Sequence, residues 1–164
     1  MAVLITAAAY AAAFKLERML NTSEVYFGEQ VDMPAISGKV FLRLPGALTS
    51  SFTSEMLKIC LDHGITDVFP LKSDEVVELS KARQLFEEYG IRLIIPSNKW
   101  IQNQLNDSFP NSSNILILSG EKVIAGELPG NSSLPENEES GIFSWDLKDG
   151  VIRYHLFKVD HAEI

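Results

Sequence analysis

The amino-terminal part of the chain alternates between two hydrophobic periodicities. Short apolar runs predict strands at 3–6, 24–28, 39–44, 66–71 and 91–95. Between most of these runs, apolar residues recur every three or four positions, which predicts helices over 8–20, 51–62, 73–89 and 97–105. Gly64 and Gly90 follow two of the helices and supply the left-handed backbone that commonly ends a helix. The pattern therefore predicts an α/β fold.

The order of these elements also predicts the topology. Strands that alternate with helices favour a mostly parallel, doubly wound (Rossmann-like) three-layer sheet, since crossovers between parallel strands are right-handed. The pattern changes beyond residue 107, where alternating runs predict strands at 114–118, 122–126, 142–147 and 151–159. Turn signals at 119–121 and at Asp149-Gly150 predict two hairpins. We thus expect a domain at 1–107 and a small antiparallel β appendage at 108–164, packed on it, with a mobile loop at 126–140.

The first residues form an uncharged apolar run that ends at Phe14. A secretory signal would begin with a basic residue, but here Lys15 is the first one and lies behind the run. The run is also too short to span a bilayer. We therefore predict a buried strand followed by an Ala-rich helix, in a cytoplasmic protein without a membrane partner.

Composition narrows the classes of function. The chain has 164 residues, 46% hydrophobic and 22% charged, which is ordinary for a globular protein. Its 22 acidic and 14 basic residues give a net charge of −8, so a nucleic-acid partner is not expected. The single cysteine, Cys60, excludes an intramolecular disulfide and a cysteine zinc site.

One long segment resembles a known family. Residues 65–97 read ITDVFPLKSDEVVELSKARQLFEEYGIRLIIPS. They resemble a segment of the amino-terminal (preATP-grasp) domain of carbamoyl-phosphate-synthase-like ATP-grasp proteins, in which a strand ends in Pro-Leu, an acidic residue opens a helix, and Gly-Ile precedes a strand and Pro-Ser. The opening VLIT at 3–6 resembles the first strand of that domain. The resemblance covers residues 3–106 and implies a Rossmann-like scaffold, with an ATP-grasp-type protein as one expected partner.

The chain also departs from that family. Residues 107–164 lack the Gly-rich loop, the clustered Lys and Arg and the metal-binding Glu and Asn that the ATP-grasp portion provides. The first strand runs into Thr6-Ala7-Ala8-Ala9, where family members more often have a Gly-rich turn, and methyl groups there hinder a phosphate. We expect no ATP-grasp catalysis from this chain alone, no cofactor and no metal.

A binding site in such a fold lies beyond the carboxyl ends of the strands. The loops at that edge are 6–10, 28–32, 71–75 and 96–99. Lys72 and the following helix amino-terminus could receive a small anion, or Asp74 and Glu75 could simply cap the helix. Arg43 could face inward toward a carboxylate or ligand, or face water from an edge strand. The candidate ligand-binding residues are Thr6, Ala7, Tyr10, Arg43, Lys72, Asp74, Glu75, Ser97 and Asn98; catalytic residues are not identified.

Other reactive side chains have ordinary explanations. Cys60 lies on the apolar face of a predicted helix and is expected to be a core thiol rather than a nucleophile. His63, at the end of that helix, is expected to interact with the helix dipole. His155 is predicted at the surface, and the acidic residues near Glu139 are predicted in a solvated loop.

Three classes of function remain open. The chain could be a non-catalytic module that binds a small anionic ligand or a protein partner, an accessory subunit of a split ATP-grasp ligase, or a small enzyme that uses a crevice near Thr6, Arg43 and Lys72. We favour the first, because no complete catalytic set is visible. Unpaired hairpin edges and aromatic residues in the appendage also suggest a homodimer.

Overall fold

The computed structural model describes residues 2–104, 114–128 and 139–159. These residues form two compact units. The first unit contains the described residues up to Leu93 together with Val159, and the second contains those from Ile94 to Lys158. The predicted domain boundary at 107, and most of the loop predicted at 126–140, lie outside the described residues.

The first unit alternates strands and helices. Its elements are β1 (Ala2–Ile5), α1 (Ala11–Leu20), β2 (Glu24–Glu29), β3 (Val40–Arg43), α2 (Phe52–Asp62), β4 (Ile65–Phe69), α3 (Ser73–Lys81), α4 (Arg83–Glu88) and β5 (Arg92–Leu93). The second unit contains α5 (Asn98–Gln104), β6 (Ile115–Ser119), β7 (Lys122–Gly126), β8 (Gly141–Lys148) and β9 (Val151–Leu156). None of the helices within these described residues is long and apolar enough to cross a membrane.

The sheet of the first unit is five-stranded, with the order β3-β2-β1-β4-β5. All its strand pairs are parallel, which confirms the predicted α/β class and the parallel sheet. Each residue of β1 is buried, as expected for the central strand of a parallel sheet whose two faces are both covered. Strand order reverses on either side of β1, which makes its carboxyl end a point where ligands bind in folds of this type.

Two helices differ from the periodicity. The first begins at Ala11 rather than at residue 8, because Ala7 takes a left-handed φ of 56° and the N–H of Tyr10 bonds back to its carbonyl. The helix predicted over 73–89 is divided at Ala82, whose N–H bonds to the carbonyl of Leu79, three residues back rather than four. This hydrogen bond shortens the helical turn by one residue and leaves the spacing of apolar residues nearly unchanged. The sequence pattern therefore does not reveal the break between α3 and α4.

The second unit contains the antiparallel sheet that the sequence predicts. Both hairpins are present, and pairing of β6 with β8 joins them in the order β7-β6-β8-β9. Asp149 and Gly150 both have positive φ, 53° and 77°, as a two-residue hairpin turn requires. One face is organised around buried Leu116, Leu118 and Phe143, against which Trp100 and other half-buried residues pack. Pairing between the hairpins thus lets them share a core.

Gly28 allows β2 to pass closely over a core side chain. A Cβ built at this position would lie 2.4 Å from Cδ1 of Leu44, which is itself buried. We expect Gly28→Ala to lower the free energy of unfolding by about 2 kcal/mol, because the core must shift to admit the methyl group. Urea denaturation followed by circular dichroism measures this difference.

The matched control for that substitution is Gly46→Ala. A Cβ at Gly46 would meet only the Thr49 methyl, at an ordinary 3.5 Å, and neither glycine has a positive φ. The control is expected to change stability by less than about 0.5 kcal/mol. Equal losses in the two variants would mean that the close approach to Leu44 is not what requires glycine at 28.

Candidate functional site

Three loops meet at the carboxyl edge of the parallel sheet. Thr6 follows β1 directly, and its hydroxyl accepts a hydrogen bond of 2.8 Å from the backbone N–H of Leu71, beyond β4. Glu29 ends β2, and its Oε2 accepts from the backbone N–H of Ala9 at 3.1 Å. These bonds tie the loops predicted at 6–10, 28–32 and 71–75 to one another.

An ion pair lies at the centre of this meeting point. Nζ of Lys72 donates to Oε1 of Glu29 at 2.6 Å, and both side chains are buried. The backbone N–H of Gln30 also donates to that oxygen, at 2.8 Å. Burial raises the pKa of Glu29, but Lys72 and the two backbone donors outweigh it, so this pKa lies below its usual value. Glu29 is therefore held as a carboxylate.

A second carboxyl group adjoins the pair. Glu75, in the first turn of α3, is 1% exposed, and its Oε1 receives the side-chain amide of Gln30 at 3.4 Å. Its Oε2 is buried and has no hydrogen-bond partner within the part of the chain that the structure describes. Burial raises the pKa of Glu75 to about 7, against the opposing effects of a hydrogen bond from Thr6 and the charge of Lys72. We call Thr6, Glu29, Gln30, Lys72 and Glu75 the carboxyl-edge cluster.

Several predicted site residues lie in or beside this cluster. Thr6, Lys72 and Glu75 belong to it, and buried Ala7 forms the turn after Thr6. The ring of half-buried Tyr10 lies 6.0 Å from Nζ of Lys72, within the range of a cation–π contact. Asp74 accepts a hydrogen bond of 2.8 Å from the backbone N–H of Glu75, which is a local contact within the first turn of α3; the N-cap residue, Lys72, makes no side-chain capping bond.

Arg43 lies apart from the buried cluster. It ends the edge strand β3, and its guanidinium bonds to Asp32 at 2.6 Å with both side chains exposed. The crevice enzyme considered above requires Arg43 to converge with Thr6 and Lys72. The contacts of Arg43 among the described residues do not bring the three side chains together.

Ser97 and Asn98 belong to the second unit, at the start of α5. The backbone N–H and the hydroxyl of Ser97 both donate to the carboxylate of Glu139, each at 2.6 Å. Ser97 Oγ also accepts from the backbone N–H of Trp100 at 3.2 Å, as a helix cap does. The expectation that Glu139 is solvated is wrong, since it is 7% exposed and held by these two bonds.

We expect Glu139→Ala to destabilise the second unit by about 2 kcal/mol, since it removes two charge-assisted hydrogen bonds and leaves the Ser97 donors unpaired. Both tryptophans of the chain, Trp100 and Trp145, lie in this unit, so their fluorescence during urea denaturation reports on it. Glu121→Ala removes an exposed carboxylate from the same unit and should change stability by less than about 0.5 kcal/mol. Equal losses of stability in the two variants would exclude the hydrogen bonds between Ser97 and Glu139 as the stabilising contact.

The sequence does not single out Glu29 and Gln30. Glu29 falls within one of the predicted loops, but its role depends on Lys72, 43 residues away. The available signal is a charged residue that directly continues the strand run Tyr26-Phe27-Gly28. Such a residue must either reach water or find a partner at the carboxyl edge, and here it finds one.

The cysteine and the described histidines lie outside the carboxyl-edge cluster, and each has contacts or burial that a structural role explains. Cys60 is buried in the core as predicted, and burial raises its pKa to about 12. Nδ1 of His63 lies 2.9 Å from the carbonyl of Ile59 at the end of α2, in keeping with the predicted interaction with the helix terminus. His155 is buried rather than at the surface, and lies 3.5 Å from Asp146. The described residues contain no group of three or more potential metal ligands.

Comparison with known proteins does not assign this geometry to a family. No protein-family model matches the chain, and a search of curated proteins finds no match.

Proposed function

We propose that this chain is a non-catalytic, Rossmann-like module, related to the preATP-grasp domain, that binds a small ligand at the carboxyl edge of its parallel sheet. The observation that carries this proposal is the carboxyl-edge cluster, where loops after β1, β2 and β4 meet around buried charged groups. Ionisable groups whose pKa values are displaced by burial and by a specific charged partner cluster at functional sites.

The topology supports the position of the site. The strand order β3-β2-β1-β4-β5 matches five strands of the doubly wound dinucleotide-binding sheet, whose ligands lie where strand order reverses. Thr6 follows β1 at that point, and Lys72 follows β4 beside it. The left-handed Ala7 provides a tight turn where a glycine is usual, while its methyl group restricts close approach of a phosphate. These features favour a ligand site at the position usual for a Rossmann-like fold, but with a first turn that is unsuited to binding a phosphate.

A thermal-shift screen tests the proposal. The panel contains nucleotides, amino acids, amines, phosphates and carboxylates, each with and without magnesium. A ligand at 100 times its dissociation constant stabilises a fold by about 2.7 kcal/mol, which the screen detects. Amide hydrogen exchange with any hit is then expected to slow at 6–10, 28–30 and 71–75, the three loops of the site.

Three outcomes would contradict the proposal. A hit that protects only the second unit would move the site away from the carboxyl edge. A shift with ATP and magnesium would instead favour an accessory subunit of a split ATP-grasp ligase, because nucleotide binding would have survived. If the whole panel leaves the melting temperature unchanged, small-ligand binding is rejected and a protein partner becomes the alternative.

A further inference from the structure

The carboxyl-edge cluster contains more acidic than basic groups. Glu29 and Glu75 provide two carboxyl groups, and Lys72 is the one ammonium that the described contacts bring to them. That ammonium is already bonded to Glu29, which also accepts from two backbone N–H groups. The pair of Glu29 and Lys72 is therefore satisfied within the chain, whereas the second carboxyl group has no cation of its own.

One oxygen of Glu75 lacks a hydrogen-bond donor among the described residues. The carboxyl group receives a hydrogen bond from Thr6, and its Oε1 receives a long bond of 3.4 Å from the Gln30 amide, but its Oε2 receives none within the described part of the chain although the side chain is 1% exposed. A buried carboxylate oxygen without a donor destabilises the fold, because it has lost its hydrogen bonds to water and forms none within the protein. When Glu75 is ionised, Oε2 therefore still requires a donor.

The charges decide which kind of donor fits. The small anion expected from Lys72 would compete with Glu29 for that ammonium and would approach two carboxyl groups. We infer that the ligand of this edge presents a positively charged nitrogen, a primary ammonium or a similar group, to Oε2 of Glu75; this inference rests on the function proposed above. Such a group would balance the second carboxylate and supply the missing hydrogen bond.

The side chains that border the cluster allow access by a small rearrangement. Gln30 and Tyr10 are half-buried, and the hydrogen bond from Gln30 to Glu75 is long, at 3.4 Å. Rotation of the Gln30 side chain would release Oε1 and open a path to Glu75 without breaking the ion pair of Glu29 with Lys72. The ammonium of the ligand would then donate to Oε2, and a second of its N–H groups would replace the Gln30 amide at Oε1.

Binding of a cation at Glu75 must compete with protonation. The groups that face Glu75 are Glu29 from β2, Lys72 and Asp74 from the start of α3, and the neutral side chains of Thr6 and Gln30. Because the pKa of Glu75 is about 7, the carboxylate that attracts a cation is mostly present at pH 8 and mostly absent at pH 6. Affinity for an amine is therefore expected to be about tenfold weaker at pH 6 than at pH 8.

The experiment compares amines with anions of similar size. The probes are propylammonium, ethanolammonium and lysinamide on one side, and propionate, acetate and inorganic phosphate on the other, at one ionic strength. An amine at about 100 times its dissociation constant should raise the melting temperature at pH 8 by about 5–10 °C. Glu75→Gln should abolish this shift, and Glu55→Gln, an exposed acid in the first turn of α2, should keep it.

The outcomes separate this inference from the proposed function. A shift with propionate or phosphate and none with the amines would overturn the inference and leave ligand binding at this edge intact. No shift with any of the six probes would also overturn the inference, and the wider panel described above would then decide the proposed function. Amine shifts that are equal in the two variants would indicate general charge screening and would also overturn the inference. If Glu75→Gln does not fold, the tenfold pH dependence in the unsubstituted protein decides, and an affinity independent of pH counts against Glu75.

Discussion

Replacing Lys72 with Met should lower the free energy of unfolding of the first unit by about 3–5 kcal/mol, because it leaves the buried carboxylate of Glu29 without its cation. The methionine retains most of the side-chain volume, so the loss reports on charge more than on packing. Urea denaturation followed by circular dichroism gives the magnitude, and amide hydrogen exchange in β1 and β2 locates it in the first unit.

Two further variants identify the ion pair as the cause. Lys58 forms an ion pair of 2.5 Å with Asp62, but both side chains are more than half exposed. Lys58→Met is therefore expected to change stability by no more than about 0.5 kcal/mol. Adding Glu29→Gln to Lys72→Met should recover much of the loss, since the remaining group is neutral. A loss no larger than that of Lys58→Met, or no recovery in the double variant, would show that the buried pair does not hold the three loops together.

Glu75 is expected to make the first unit less stable as the pH rises from about 4.5 to about 7. The folded protein holds a proton on Glu75 up to a pKa of about 7, whereas an unperturbed glutamate has a pKa of 4.5. Between these values the folded state binds more protons than the unfolded state, so raising the pH favours unfolding. The difference corresponds to about 3 kcal/mol between pH 4.5 and pH 8. Glu29, with its lowered pKa, acts in the opposite sense and only on the acid side of this window.

Glu75→Gln isolates this contribution. The stability of the variant relative to the parent protein should rise by about 2–3 kcal/mol between pH 5 and pH 8, because the amide does not titrate. Urea denaturation at several pH values provides the measurement. Glu55→Gln removes an exposed carboxylate from the first turn of another helix, and its effect should vary by less than about 0.5 kcal/mol over the same range. A flat difference for Glu75→Gln would mean that Glu75 is ionised throughout this range.

The order of elements is determined by the sequence alone. Apolar periodicity separates strands from helices, and turn chemistry such as Asp149-Gly150 fixes a hairpin within a few residues. Both signals depend on residues close together in the sequence, so they can be recognised without knowing which distant residues pack against them. The α/β class, the parallel sheet and the two hairpins follow from them. The candidate site could be placed at the carboxyl ends of the strands for the same reason, since every parallel strand of a sheet ends at one edge.

The chemistry of that edge was decided only by tertiary structure. In the sequence, Lys72 could either receive an anion or simply precede a capped helix, but β2 places Glu29 against it from 43 residues away. In the sequence, Glu75 has the position of a residue that caps a helix. In the fold it is buried beside the ion pair of Glu29 and Lys72, and one of its oxygens has no donor among the described residues. In the second unit, Glu139 is likewise buried, because the fold places it against Ser97, which donates two hydrogen bonds to its carboxylate. A charged residue has the same local pattern whether it faces water or a distant partner, so its environment depends on which strands and loops the fold brings together.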